Sequence, residues 1–164
     1  MLIGGRFHLA QVNVSKLRVP PDDPRLATFL SVLRRVNRLA ESAPGFVWRL
    51  PSPGDRLNGA DLLGDERMAL NISVWESYRV LHDYAYRAEH GRFVRHRREW
   101  FERVPLPATA LWWIRVGQRP SPADGLARLA YLRANGPSPR AFTVRCRFTA
   151  QGARERTLIV RNGL

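Results

Sequence analysis

The stretch Asn71-Ile72-Ser73-Val74-Trp75-Glu76-Ser77 decides how the rest of the chain is read. Its first five residues alternate, which places Asn71, Ser73 and Trp75 on one face of a strand and Ile72 and Val74 on the other. Glu76-Ser77 then opens a long helical stretch rich in Tyr, His and Arg. A plain core face would carry Val, Ile or Leu. An amide, a hydroxyl and an indole on one face point to a pocket, whose apolar walls hold a few polar groups that orient a small molecule.

Upstream, His8 to Val14 also alternates and reads as a strand, with His8, Ala10, Val12 and Val14 on one face and Leu9, Gln11 and Asn13 on the other. Asp23 suits a helix N-cap and Pro24 the first helical position. Leu26, Phe29, Leu30, Leu33, Val36 and Ala40 follow helical spacing until Pro44-Gly45 ends the helix. Phe46 to Leu50 reads as a strand with Phe46, Trp48 and Leu50 on one face and Val47 and Arg49 on the other. Residues 51–66 read as a loop, and Arg67 to Trp75 as the next strand.

Downstream, a helix is expected from Ser77 to about Phe101, bent near His90-Gly91. Thr109 to Val116 is a strand in which Trp112 and Trp113 point opposite ways, one of them into a core or an interface. Ser121-Pro122-Ala123-Asp124 starts a short helix that Asn135-Gly136-Pro137 stops. Ala141 to Phe148 alternates like a fifth strand. Residues 149–164 read as a basic C-terminal tail, with a short strand at Thr157 to Val160.

The order is β-α-β-β-α-β followed by α-β, all within one domain over 1–148. The first six elements are the ferredoxin-like order, an α+β fold with an antiparallel sheet and helices on one face. The other face of such a sheet is apolar and has to be covered. Face-to-face pairing of two copies is the usual solution, so a homodimer is expected.

Composition narrows the classes. The chain has 164 residues, 45% of them hydrophobic, which suits one globular domain with a real core. No apolar run approaches the roughly 20 residues of a membrane span. The N-terminal Met-Leu-Ile-Gly-Gly-Arg lacks the apolar core of a signal peptide, so cytoplasmic residence is expected. Cys146 is the single cysteine, which excludes an internal disulfide and a cysteine metal cage. The net charge of +13, carried by Arg at every basic position except Lys16, favours anionic partners. Nucleic acid ranks below a small-molecule ligand, because the Arg residues are scattered and no nucleic-acid motif is present.

If the strand phases agree, Gln11, Asn13, Arg49, Asn71, Ser73 and Trp75 line one surface. Tyr86, His90 and Arg97 share a face of the second helix at offsets 0, 4 and 11, and Tyr84 and Trp100 border the same space. Each has a plainer alternative. Asn13 and Asn71 would cap strand ends, Arg49 would pair with Glu76 or Glu99, Trp75 would be core, and His90 would end a helical turn. Polar residues recurring on one face of several strands are costly without partners, which favours the pocket. There is no Gly-x-Ser-x-Gly elbow, no P-loop and no dinucleotide fingerprint. No metal spacing of His and carboxylates is seen. Acid–base or oxygen chemistry through His, Tyr, Asn and Trp is left, or binding alone.

His8-Leu9-Ala10-Gln11-x-Asn13, Pro44-Gly45-Phe46-Val47-Trp48-Arg49-Leu50, Asn71-x-Ser73-Val74-Trp75-Glu76-Ser77, Tyr86-x-x-x-His90, Arg97-Arg98-Glu99-Trp100-Phe101, Leu111-Trp112-Trp113 and Gly136-Pro137-x-Pro139-x-Ala141-Phe142-Thr143 stand in order. Together, over roughly residues 7–145, they resemble a bacterial family catalogued as a domain of unknown function (series number 3291). That family is grouped with the dimeric α/β-barrel proteins, which are similar to antibiotic-biosynthesis monooxygenases. The resemblance implies ferredoxin-like subunits paired sheet to sheet, and assigns no activity. Within the wider group, cofactor-independent monooxygenases use an Asn and a Trp four residues apart on a strand, a spacing Asn71 and Trp75 share. The polar strand face together with this shared spacing motivates the leading expectation, oxygenation of an aromatic or polyketide-like substrate without a cofactor, with Asn71 and Trp75 orienting it, His90 or Tyr86 acting as base, and Arg49 stabilising an anion. Haem-degrading relatives use an Asn on the first strand and a Trp and a His on the second helix. Asn13 and His90 match two of these, while Tyr84 stands near the Trp position, so haem is a minor alternative. Polyketide cyclases share the fold.

Overall fold

The computed structural model describes residues 7–52, 58–86 and 96–156. Strand β1 (Phe7–Leu17) is the centre of the sheet. On one edge it pairs antiparallel with β3 (Met68–Trp75), which in turn pairs with β2 (Phe46–Arg49). On the other edge lie β5 (Thr109–Arg115) and, at the far end, the two-residue β4 (Phe101–Glu102). The order β2-β3-β1-β5, antiparallel throughout, is the ferredoxin-like arrangement that the element order predicts.

Helix α1 (Ala27–Glu41) follows a 3-10 turn at Pro24–Leu26, whose N-cap Asp23 accepts the Arg25 amide at 2.9 Å. A short helix, α2 (Ala60–Leu63), sits in the expected loop. Ser77 caps α3 (Tyr78–Ala85). Helices α1 and α3 cover the sheet face that carries Leu9 and Trp75. Between α1 and β2, Gly45 has φ +77° and lies so close to α3 that a Cβ would meet the Val80 methyl groups at 2.8 Å.

The opposite face carries Ala10, Val12, Val14, Leu70, Ile72, Val74, Ala110 and Trp112, all buried. Helix α4 (Pro122–Asn135) covers it, inserting Leu129 and Leu132. A capping box starts α4: Ser121 Oγ accepts the Asp124 amide at 3.1 Å, and Asp124 accepts the Ser121 amide at 2.8 Å. The expected C-terminal helix is therefore present, and it does the covering assigned above to a second copy. The apolar face is closed within the chain, so burial of that face supplies no reason for sheet-to-sheet pairing.

Three local expectations are corrected. Residues 141–148 are not a strand but an irregular segment that touches the sheet through the Leu111–Phe142 bridge, closed by two 2.9 Å hydrogen bonds. Residues 149–156 are not a tail. The chain turns at Thr149–Gly152 and returns, with Glu155 N–H bonding Arg147 O at 2.9 Å. The helix expected up to about Phe101 is present as α3 and again at residues 96–100, after which Phe101 pairs with Leu17 as strand. In β2 the register shifts between Phe46 and Trp48, a bulge that puts Phe46 and Arg49 on the same face. The bend at His90-Gly91 and the strand at 157–160 lie outside the described residues. No helix among the described residues is long and apolar enough to cross a membrane.

Candidate functional site

Residues directly opposite in a sheet point to the same face, so the register decides which side chains meet. Asn13 stands opposite both Asn71 and Thr109, Gln11 opposite Ser73, and Ser73 opposite Arg49. Leu9 stands opposite Trp75, which stands opposite Phe46. The strand phases agree, and the polar side chains form one surface beneath α1 and α3. A cavity of about 300 Å³ lies there, at the lower end of small-molecule pockets.

The apolar walls come from Phe29, Leu33, Val36 and Ala40 of α1 and Leu81 of α3. The most enclosed wall is aromatic. Trp75 is 1% exposed. Its indole stacks on Tyr84, with centroids 5.0 Å apart at 27°, and meets Phe46 edge-on at 5.4 Å. Its Nε1–H donates to Ser73 Oγ at 2.9 Å. The Tyr84 hydroxyl donates to the Val36 carbonyl at 3.0 Å. Burial pushes the Tyr84 pKa well above that of an ordinary phenol, against a smaller opposing effect of the Arg49 charge. Tyr84 is thus a neutral donor at physiological pH and cannot serve as a base.

The polar floor is differently disposed. Asn13 Nδ2 donates to Thr109 Oγ1 at 2.8 Å and more weakly to the Ala108 carbonyl at 3.4 Å. That leaves Oδ1 as the group this amide offers. Arg49 is held by Glu41, which accepts from Nε at 2.6 Å, and by the Leu50 carbonyl at 3.3 Å from Nη1. Arg97 lies over the Phe101 ring, 5.8 Å from its centroid. Ser15, Asn37, Ser52, Asn58 and exposed Asn71 complete the hydrogen-bonding set. Among the described lining residues there is no carboxylate, histidine, lysine or cysteine. The described residues also hold no cluster of His, Cys, Asp and Glu suited to a metal. The lining offers cations, amides and hydroxyls, a set that suits an oxygen-rich ligand bearing negative charge.

Of the residues singled out in the sequence, Gln11, Asn13, Arg49, Asn71, Ser73, Trp75, Tyr84 and Arg97 all line this pocket. Two do not. Tyr86 is 74% exposed and its ring packs on His82 at 4.4 Å. Helix α3 ends at Ala85, so the helical offsets that joined Tyr86 to Arg97 do not run through it. Trp100 packs on Phe29 at 5.3 Å in a cluster with Leu17, Leu26 and Phe101, of which Phe29 and Phe101 line the pocket and Trp100 does not. His90 lies outside the described residues. The acidic partner of Arg49 is Glu41, not Glu76 or Glu99. Thr109 and Asn37 were missed although strand alternation and helical spacing, respectively, place them; Asn58 and Ser52 sit in a loop with no periodic signal.

Residues 8–158 match the profile of a family described as Domain of unknown function (DUF3291). The match reaches past the limit at residue 145 suggested by motifs alone and includes the returning segment at 149–156. No curated protein matches the sequence. Among solved structures, the chain is similar to SnoaB, a cofactor-independent oxygenase from Streptomyces nogalater, at 16% identity and a TM-score of 0.44, over 70% of this chain and 97% of that one. It is similar to a conserved protein of Methanosarcina mazei Go1 at 8% identity and a TM-score of 0.47, over 67% and 93% of the two chains. A Nitrosomonas europaea protein provisionally assigned as an antibiotic biosynthesis monooxygenase is similar at 10% identity and a TM-score of 0.46, over 74% of this chain and 100% of that one. Likenesses this distant leave the chemistry to be read from the pocket.

Proposed function

The chain belongs to the DUF3291 family, a membership that assigns no chemistry, and we propose, from the pocket together with the Asn71–Trp75 spacing that resembles that of cofactor-independent monooxygenases, that it is a small-molecule enzyme acting on an electron-rich aromatic or polyketide-like substrate, with cofactor-independent oxygenation as the reaction. The observation that carries this reading is the lining: Arg97 and the Glu41-paired Arg49 beside the amides of Gln11, Asn13 and Asn71, with no carboxylate among the described lining residues themselves. A guanidinium within about 4–6 Å favours the ionised form of an acidic group by roughly 1–3 pKa units. A phenol with an activated ring methylene would therefore bind as its phenolate, with Arg49 holding the oxyanion. Asn71 and Asn13 would orient its oxygens. The Phe46–Trp75–Tyr84 wall would stack on the ring and keep water away from it.

The phenolate itself then supplies the electrons. The ring methylene loses two hydrogens and gains one oxygen atom from O2, and the second oxygen atom leaves as water. Tyr84 keeps its proton and shapes the wall. Of the two bases expected from the sequence, Tyr86 lies outside the pocket, which leaves His90, outside the described residues, with the cations reducing how strong that base has to be.

Oxygen uptake with a panel of hydroxylated polycyclic aromatics tests this reading. Turnover that is lost in Arg49→Ala and Asn71→Ala supports it. A folded protein that binds no member of the panel and consumes no oxygen overturns it. The same cations and amides suit an enolate, so a cyclase or isomerase in this pocket is the second reading; it is distinguished by product formation without oxygen.

A further inference from the structure

The returning C-terminal segment builds a second polar surface outside the pocket. Arg145, Arg154 and Arg156 line an open cleft there together with Glu155. All three arginines are exposed. Glu155 is already engaged, accepting from Arg147 Nε at 2.8 Å, so among the described lining residues the cleft holds three guanidinium groups and one carboxylate that is already neutralised.

The same Arg147 joins this cleft to an aromatic row. Its guanidinium lies 4.0 Å from the centroid of the Tyr78 ring. Along α3, Tyr78 contacts His82 at 5.7 Å, and His82 contacts Tyr86 at 4.4 Å. The spacing of four residues puts the rings on one helix edge. Tyr86, at the end of the row, is 74% exposed, far more than a tyrosine needs for packing.

Cations that track a phosphate backbone beside exposed rings on which bases stack are the two components of a sequence-tolerant single-strand surface. We propose that the Arg145–Arg154–Arg156 cleft and the Tyr78–His82–Tyr86 row form one binding surface for single-stranded nucleic acid, separate from the small-molecule pocket. The phosphates occupy the cleft and a base stacks on Tyr86. The net charge of +13 supplies the long-range attraction. Duplex stacks its bases internally and offers none to Tyr86, so a single strand is the matching partner.

Fluorescence anisotropy with a labelled oligothymidylate, titrated from 50 to 300 mM NaCl, tests the surface on the full chain. The wild type is expected to bind at low salt, with affinity falling steeply as salt rises. An Arg145→Ala/Arg154→Ala/Arg156→Ala variant should lose at least tenfold and flatten the logarithmic salt slope by about 2, since each single-strand phosphate contact contributes about 0.7. Tyr86→Ala should lose about tenfold with the slope unchanged. Asn71→Ala, in the other pocket, should bind the oligonucleotide as the wild type does. No binding at 50 mM NaCl overturns the proposal. So does a Tyr86→Ala variant that binds normally while duplex and heparin bind as well as the single strand, because that describes charge alone.

Discussion

Gly125 of α4 and Ile72 of β3 are in contact at a distance that leaves no room for a side chain: a Cβ on Gly125 would lie 2.9 Å from Ile72 Cδ1 and 3.1 Å from Val12 Cγ2. The helix closes the sheet through this approach. Gly125→Ala gains about 1 kcal/mol of helix propensity and loses about 1–3 kcal/mol to overpacking. Gly125→Val loses more, because its branched Cβ has to displace Val12 as well. Urea unfolding should show Ala slightly and Val clearly less stable than wild type. A Val variant as stable as the wild type would mean that α4 does not sit this close.

Closure of the sheet by α4 also sets an expected mass. Light scattering on the purified chain should give that of one copy, 18.8 kDa, at micromolar concentration. A dimer whose interface maps to Val12, Ile72 and Trp112 would require α4 to leave the sheet, and would refute this arrangement.

The pair Trp75 and Ser73 is coupled inside the sheet. Ser73→Ala leaves the buried indole N–H without an acceptor and should cost about 1–3 kcal/mol. Trp75→Phe removes the donor but opens a cavity beside Tyr84, at a cost of the order of 3 kcal/mol. The double variant should be less destabilised than the sum by at least about 0.5 kcal/mol, as expected for residues in contact. Strict additivity would exclude the hydrogen bond.

Tyr84 predicts an alkaline limit. Its pKa is raised in the folded state, chiefly by burial, whereas in the unfolded chain it ionises near pH 10. Above about pH 10 the unfolded state therefore releases a proton that the folded state keeps, and folding stability falls as pH rises, by up to about 1.4 kcal/mol per unit. Below pH 10 the contribution is intact. Tyr84→Phe should be less stable at pH 7 by about 1 kcal/mol, for loss of the bond to Val36, and should show a shallower decline above pH 10. Equal slopes in the two proteins would mean the phenol titrates normally.

How far the site was legible depended on regularity. Asn71, Ser73 and Trp75 could be placed because strands alternate strictly, and Asn13 and Gln11 because β1 does the same. Phe46 and Arg49 could not be put on a common face by counting in twos, since the bulge at Val47 reverses the parity. Tyr86 was misplaced because helical spacing was carried past Ala85, where the helix ends. The start of α4 was written in Ser121-Pro122-Ala123-Asp124, a capping box that acts locally. Where α4 would dock was not, because an apolar stripe says that something is covered and not what. Asn58 and Ser52 reach the pocket from a loop, whose path no periodicity encodes.

Helix α4 has a bearing on the surface charge as well as on the core. Two copies meeting sheet to sheet would bring two bodies of charge +13 together, and that repulsion would limit how basic the chain could become. A subunit that supplies its own lid has no such limit. Its exterior can accumulate arginine under the demands of other molecules, with no requirement to tolerate its own reflection.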